Sequence, residues 1–589
     1  MNLVYDIETD GLLDEVTKIH SLVIHDLGTG EMISCADHPG YVPIKDGVSM
    51  LNDAATVVGH NILCFDNPCI KQLGYDFNPK RSYDTLILSR LFFTDMMTHD
   101  GKHKWKHILL AKKLFGKHKL EAWGIRLGEF KQEIETDWKE WTPEMQEYCE
   151  QDVKVSVRLW YHLKDLAEQF DDAVVMEHRF QELMFQQEQN CVPFDVPKAT
   201  KLYYNLKTES VELEEIIQEK IPPVKRTIFV PKRDNQKMGY KKGVAMDRSK
   251  PFNPGSRPQI IQYLKETHNW TPVKFTDKGN PKVDAEVLAG LPWDNVKLLT
   301  KYLDVQKVKG RLMNNKNEGW LTKHKDGKIP ALINTLGAVT HRCTHSIIAN
   351  IPRVTSYRGK ECRELFHSGD GKMVGCDASQ LELRMLAHYL AAYDNGAYTK
   401  EVCDGDIHTV NQNAAGLPTR DHAKTFIYGL NYGAGNQLLG AMLHPDKGEA
   451  IQKKAGAKMR ESFMVQIPAY QSLLYDVQQA AKRGYLYSLD GRKVAIRENY
   501  RALNTLLQSA GALVMKQATI LMWDSLLESG INVKQAIQYH DENQVIAYEE
   551  YDEVGRMMVE GIVKAGEHYN LRCPLAAKYK VGNNWSETH

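Results

Sequence analysis

The 589-residue sequence predicts an α/β fold built from more than one compact unit, on three observations. Strand-like runs rich in β-branched residues open the chain, and helical stretches follow them. A second pair of strand-like runs, Lys372–Asp377 and Lys534–Tyr548, brackets a mostly helical block from Thr419 to Leu527. The length, at roughly 150 residues per domain, allows about four units.

Composition narrows the class. Hydrophobic residues make up 42% and charged residues 25%, enough apolar surface to bury large cores, so disorder is excluded as the main state. No apolar run approaches the ~18 residues of a membrane span, and no membrane partner is expected. The acidic start MNLVYDIETD does not read as a signal peptide, so a cytoplasmic location is expected. Lys plus Arg number 75 and Asp plus Glu 75, which excludes a chain basic throughout but not local basic patches. The ten cysteines form no C-x-x-C pair and read as reduced core residues.

Asn2–Ile7, Ile19–Asp26 and Thr56–His60 read as strands, and Thr142–Leu166 as a helix carrying Met145, Tyr148, Val153, Val157 and Leu163 near helical spacing. Thr200–Lys220 is a second strong helix, stopped by Ile221-Pro222-Pro223. From Lys220 to Lys250 ten Lys/Arg stand against Asp234 and Asp247. This basic segment reads either as a solvated loop or as an arm that tracks phosphates. Further helices are expected at Arg257–Thr267 and Asn295–Leu312.

Two carboxylate sets carry the chemistry. Asp6 and Glu8 lie two apart on a strand, so both point to one face. Like charges on one face are costly without a cation between them, and hard oxygen ligands suit Mg²⁺ or Mn²⁺. Asp66 follows a short apolar strand, while Tyr148 and Asp152 share a helix face. Four carboxylates and a tyrosine suit a two-metal site at which the Tyr148 hydroxyl orients water. The spacing D-x-E, N-x4-D (Asn61 to Asp66) and Y-x3-D resembles the three motifs of the DnaQ-like, RNase H-like 3′–5′ exonuclease fold. In the second set, Asp377 ends an apolar run, and His540-Asp541-Glu542 sits where a hairpin tip would. Two such aspartates suit two Mg²⁺ and a triphosphate. Between them Arg420, Lys424, Tyr428 and Tyr432 recur every four residues along one helix face. Its first half, near the helix start, suits phosphates, and its second half suits a stacked base. His408 in GDIHT offers another phosphate donor.

That helix resembles the R-x3-K-x3-[FY]-x3-YG motif of family A DNA polymerases, DASQLELR (377–384) resembles their first palm motif, and HDE (540–542) resembles their last. LEAWGIRLGE (120–129), PTRDHAKTFIYGLNYGAG (418–435), SLDGRKVAIR (488–497) and ALNTLLQSAGAL (502–513) are similar to the replicative DNA polymerases of podoviruses. The resemblance implies an exonuclease domain at 1–190 followed by a right-hand polymerase. Its thumb would span 191–330, the palm 331–405 and 496–589, and the fingers 406–495. It implies that Asp377, Asp541 and the Ala378 carbonyl bind the polymerase metals, and that Asp6, Glu8, Asp66 and Asp152 bind two more. Arg420, Lys424 and His408 would hold the triphosphate. Glu382 would reject a ribose 2′-hydroxyl and hydrogen-bond Tyr428, whose hydroxyl confers dideoxynucleotide tolerance. Tyr432 would stack on the templating pair, Arg342 and Gln508 would sense the minor groove, and His540 would touch the primer end.

Primer-template DNA, dNTPs and a replicative helicase-primase are the implied partners. Thr340-His341-Arg342 and IIANIP (347–352) depart from the family's T-G-R and P-N-L-Q-N-I-P. The coliphage type inserts a long thumb loop that binds thioredoxin, whereas about 30 residues, 221–254, stand here, little more than an ordinary long loop. Thioredoxin is therefore not an expected partner. Two other readings stay open: a nuclease whose C-terminal half only binds DNA, and a single-subunit RNA polymerase, against which Glu382 and the attached exonuclease motifs argue.

Overall fold

The computed structural model describes residues 1–102, 110–131, 134–223, 228–247, 250–272, 275–276, 279–445 and 447–589. The chain opens on a five-stranded sheet of β1 (Asn2–Thr9), β2 (Ile19–Asp26), β3 (Met32–Cys35), β4 (Thr56–Gly59) and β5 (Ser82–Asp84), in the order β3-β2-β1-β4-β5. β1 pairs antiparallel with β2 and parallel with β4. Its alternation divides two cores. Leu3, Tyr5 and Ile7 pack with Leu22, Ile24 and Val57, while Val4 packs with Val58 and Leu159. Asp6 and Glu8 continue the Val4 side of the pleat, which helix 143–169 covers. β3 and β5 are only 4 and 3 residues long, too short for an alternating pattern to mark them in sequence.

Helices α1 (Asp66–Gln72), α2 (Thr85–Phe92), α3 (Pro143–Gln169) and α4 (Asp171–Asn190) flank this sheet. α3 starts where Thr142 caps the Met145 N–H with Pro143 in the first turn, a start signal satisfied by local chemistry. α4 joins two cores, since Val174 packs with the first sheet while Phe180 and Met184 pack into the C-terminal half. Two long helices, α5 (Val196–Lys220) and α6 (Asp294–Leu312), then pack together through Leu206, Leu213, Leu299 and Val305.

The basic segment between them holds a short pairing of Ile228–Phe229 with Met246–Asp247. Lys232, Arg233, Lys241, Lys242 and Lys250 in it are exposed, while Lys225, Arg226 and Arg248 lie outside the described residues.

The C-terminal half is organised on a four-stranded antiparallel sheet. β6 (Lys372–Ala378) lies between β8 (Glu542–Ala547) and β9 (Ala577–Gly582), with β7 (Val533–Tyr539) outside β8. The strand-like segment 534–548 forms the two arms of a hairpin, turning at His540-Asp541, where the sequence places a hairpin tip. On this sheet and around it pack α7 (Leu381–Asp394), α8 (Ile407–Ala415), α9 (Arg420–Asn431), α10 (Ala502–Ser529) and α11 (Tyr551–His568). α9 buries Phe426 against Phe463, whose ring meets Tyr470, and Tyr470 donates to Asn431 at 3.0 Å.

A buried ionic knot ties the halves. Glu177 on α4 accepts from Lys516 on α10 at 2.7 and 2.8 Å and from Arg492, which also donates to Asp490 at 2.8 Å. Glu177, Arg492 and Lys516 are at most 2% exposed. Removing one partner strands charge in a medium that cannot solvate it. Glu177→Ala is expected to destabilise the chain by about 3–5 kcal/mol, read as a lower denaturant midpoint. An unchanged midpoint would mean the knot adds nothing.

Candidate functional site

Two carboxylate clusters form, one in each half. In the first, the pleat of β1 aims Asp6 and Glu8 at α3, from which Tyr148 and Asp152 return, while Asp66 arrives on the first turn of α1. Asp66 accepts from the Ile7 N–H at 3.3 Å. The Cys149 thiol donates to the Asp6 carbonyl at 3.4 Å. Asp6, Glu8 and Cys149 each bring a ligand atom within 4.8 Å of one another. Burial, and then the charges of Asp66, Asp152 and Glu8, push the Asp6 carboxyl well above its ordinary range. Burial and the Asp152 charge push Glu8 up to about 8, and burial pushes Asp66 up to about 7.

Asp152 is 3% exposed, and its Oδ1 has no hydrogen-bond partner. An orphaned buried oxygen among crowded carboxylates is what a hard divalent cation satisfies, so this donor set fits Mg²⁺ or Mn²⁺. The structure brings Asp6, Glu8, Asp66, Asp152 and Tyr148 into one cluster.

Two members of this cluster escape a motif search. Lys131 hydrogen-bonds Asp152, and its ammonium lies 4.6 Å from the Tyr148 ring centroid. Burial would lower its pKa, but the Asp152 carboxylate outweighs burial and holds it above the ordinary value. Beside it a cavity of about 510 Å³ is lined by Phe130, Lys131, Trp138 and Tyr148. Asp84 is 1% exposed and accepts from the backbone N–H groups of Asn61 at 2.9 Å, Leu63 at 3.2 Å and Leu86 at 2.9 Å. It caps α2 and staples the loop that delivers Asp66. Its signal was an Asp before the apolar run TLIL, an ordinary helix start.

The second cluster sits on the β6–β8 ladder. Asp377 stands opposite Glu542, and the Ala378 N–H donates to the Asp541 carbonyl at 3.0 Å. Asp541 occupies the two-residue turn, not a strand, and His540 before it has φ +59, a backbone that glycine would take more easily. Asp377 and Asp541 both open to solvent. Partial desolvation and the Asp541 charge still push Asp377 up to about 7. That repulsion, on oxygens open to a cleft, fits a divalent cation as well. Glu542 is 2% exposed and bonded to Trp585 at 2.6 Å and His589 at 2.8 Å. Burial works against its charge, but these bonds and Arg363 hold it below its ordinary value.

α9 faces this pair. Tyr428 feels the charges of Glu382 and Asp541, and burial pushes its hydroxyl up to about 12. Arg420 and Lys424 are exposed, and both bear on His408, which is 5% exposed with Nδ1 unpartnered. Arg420 pairs with Asp406 at 2.9 Å.

Glu382 bears on both Tyr428 and Tyr432 through its charge, and its Oε1 has no hydrogen-bond partner. The two tyrosines share one helix face one turn apart, and Tyr432 sits at the helix C-cap, where the chain turns toward α7 and α10. Tyr432 also accepts from Gln508 at 3.1 Å. Arg342, Glu382, Gln508, His540 and Asp541 line one small cavity. No helix among the described residues is long and apolar enough to cross a membrane.

The raised carboxyls fix a sign for pH. A carboxyl raised in the folded chain contributes stability below its ordinary pKa and loses it as pH rises through the raised value. For Glu8, Asp66 and Asp377 that window runs from about 4 to about 8. Metal-free protein should therefore lose thermal stability across it, and excess Mg²⁺ should raise Tm more at about pH 8 than at about pH 6. Equal shifts at both pH values would contradict this.

Comparison with known proteins follows the same division. A family model described as DNA polymerase family A matches residues 233–587. DNA-directed DNA polymerases of Enterobacteria phage T3 and Escherichia phage T7 are 35% and 34% identical to this chain, with 100% of this chain and of each relative covered. A solved structure described as the POL domain of Pol1 from M. smegmatis in complex with DNA primer-template and dNTP superposes with a TM-score of 0.73. It covers 100% of this chain and 95% of that one, and at 18% identity the likeness is one of fold.

Proposed function

The chain belongs to DNA polymerase family A, and from that premise we propose that it is a replicative DNA-directed DNA polymerase with a separate 3′–5′ proofreading exonuclease. The observation that carries the synthetic reading is the meeting of Asp377 and Asp541 beneath the cationic face of α9. On this reading α5 and α6 belong to a thumb, the β6–β9 sheet to a palm, and α8 and α9 to fingers.

A pair of Mg²⁺ held by Asp377, Asp541 and the Ala378 carbonyl would activate the primer 3′-hydroxyl and neutralise the leaving pyrophosphate. The rest falls to side chains that position charge. Arg420, Lys424 and His408 hold the triphosphate. The exposed Asp406 partner of Arg420 is weakly held and readily exchanged for phosphate. Lys424 stabilises charge developing on the leaving group. Glu382, beside Tyr428 and Tyr432, stands where a ribose 2′-hydroxyl would clash, and Tyr428 contacts the sugar and base. Arg342 and Gln508 read the minor-groove acceptors common to correct pairs, and His540 holds the primer end.

In the N-terminal unit Asp6, Glu8, Asp66 and Asp152 would hold two further divalent ions that activate water against the terminal phosphodiester. Tyr148 orients that water. Lys131 balances the carboxylates and, from the wall of the adjoining cavity, faces the scissile phosphate. Phe130 and Trp138 offer that cavity's aromatic surfaces to an unpaired terminal base.

The test is separation of function. Asp377→Asn should cut primer extension by roughly 10³-fold while leaving degradation of single-stranded primer intact. Asp6→Ala with Glu8→Ala should do the reverse. Loss of both activities in either variant would contradict two independent sites.

The basic segment supplies a second prediction. Exposed Lys232, Arg233, Lys241 and Lys242 would grip DNA phosphates directly, in place of a bound processivity protein. Deleting 228–247 should shorten products per binding event and flatten the salt dependence of DNA binding, and thioredoxin should change neither. Unchanged product length refutes the grip.

A further inference from the structure

His341 breaks a local rule that its neighbours obey. Its φ is +59, a left-handed backbone that side chains adopt only where their surroundings impose it. The loop that carries it is tight: the His341 N–H donates to the Ala338 carbonyl at 2.9 Å, and the Ala338 N–H to the Arg342 carbonyl at 3.1 Å. A glycine would take this turn without strain. The imidazole instead is 0% exposed.

What imposes the strain lies in the other half of the chain. His341 Nε2 donates to the Leu91 carbonyl at 3.1 Å. Leu91 is in the last turn of α2, where carbonyls have no partner inside the helix, so the bond satisfies an orphan. The other end of α2 is capped by Asp84, which also staples the loop that delivers Asp66. On its far side His341 faces the cations Arg492 and Lys516 of the buried knot, and burial with those charges keeps the ring neutral. The next residue, Arg342, lines the cavity with Glu382, Gln508, His540 and Asp541. One short helix thus touches positioning elements of both carboxylate clusters.

We propose that His341 is a positioning residue that ties Arg342 to α2, so that recognition of the primer terminus in the polymerase cleft is coupled to the N-terminal unit. The proposal rests on the two-site reading given above. Its consequence is specific. Loss of the strut leaves the fold and the chemistry in place but lets Arg342 wander, which weakens the distinction between paired and mispaired primer ends.

Full-length wild type, His341→Gly, His341→Gln, Arg342→Ala and the double variant His341→Gly/Arg342→Ala are compared on matched and mismatched primers. The readouts are extension, terminal excision, and KM and kcat for dNTP. His341→Gly should raise KM for dNTP and lower matched-over-mismatched discrimination by roughly tenfold, with kcat on matched primer changed less than about twofold. His341→Gln, which retains an N–H donor, should recover part of the loss. The double variant should be no worse than Arg342→Ala alone, because the strut acts only through that arginine. If the glycine variant does not fold, His341→Asn takes its place, since it accepts the left-handed backbone but is too short to reach Leu91. A lowered Tm with unchanged KM and discrimination, or additive losses in the double variant, overturns the proposal. A wild type that lacks extension or excision overturns the underlying reading as well.

Discussion

Like charges brought together and held are the constraint on which the rest of the structure depends. In the N-terminal sheet burial and the charges of Asp66, Asp152 and Glu8 raise Asp6, and burial with Asp152 and Asp66 raises Glu8; on the β6–β8 ladder burial and the Asp541 charge raise Asp377. Neither arrangement is favourable by itself. A strand pleat, a helix start and a helix face oppose that repulsion in the first cluster. A strand end and a strained two-residue turn oppose it in the second. The protein supplies only part of the counter-charge. Lys131 faces Asp152, and Arg342 bears on Asp541 and Glu382, which leaves room for divalent cations to supply the rest.

The two clusters stand on a shared frame. α4 sends Val174 into one core and Phe180 into the other, and its Glu177 anchors Arg492 and Lys516 without water. Arg497 pairs with Asp95 at 2.6 Å and Arg179 with Asp524 at 2.6 Å, so surface contacts repeat the link. The two clusters are therefore joined through shared packing and buried ion pairs.

Much of this was legible in the residues, for reasons of period. Asp6 and Glu8 could be placed on one face because a strand repeats every two residues, and Tyr148 with Asp152 because a helix repeats near four. Arg420 to Tyr432 followed from the same arithmetic. The meeting of Asp377 with Asp541 could be inferred only from strand-like runs around each, since no local pattern spans the chain between them.

Other features had no local signal. Lys131 lies outside any periodic run, and Asp84 looked like an ordinary cap. Glu177 with Arg492 and Lys516 joins segments more than three hundred residues apart. That Glu382 sits beside both Tyr428 and Tyr432 depends on how α9 docks, which periodicity alone does not fix. His341 was visible as a departure from a familiar tripeptide, but its strain and its reach to Leu91 belong to tertiary structure.

The most direct test is anomalous diffraction from crystals of the full chain grown with Mn²⁺, a primer-template and a non-reactive dNTP analogue. The account predicts Mn²⁺ peaks between the carboxylates of Asp377 and Asp541, and a separate set among Asp6, Glu8, Asp66 and Asp152, with Lys131 displaced from Asp152. Peaks at neither cluster, or metal bound while these carboxylates point away from it, would contradict it.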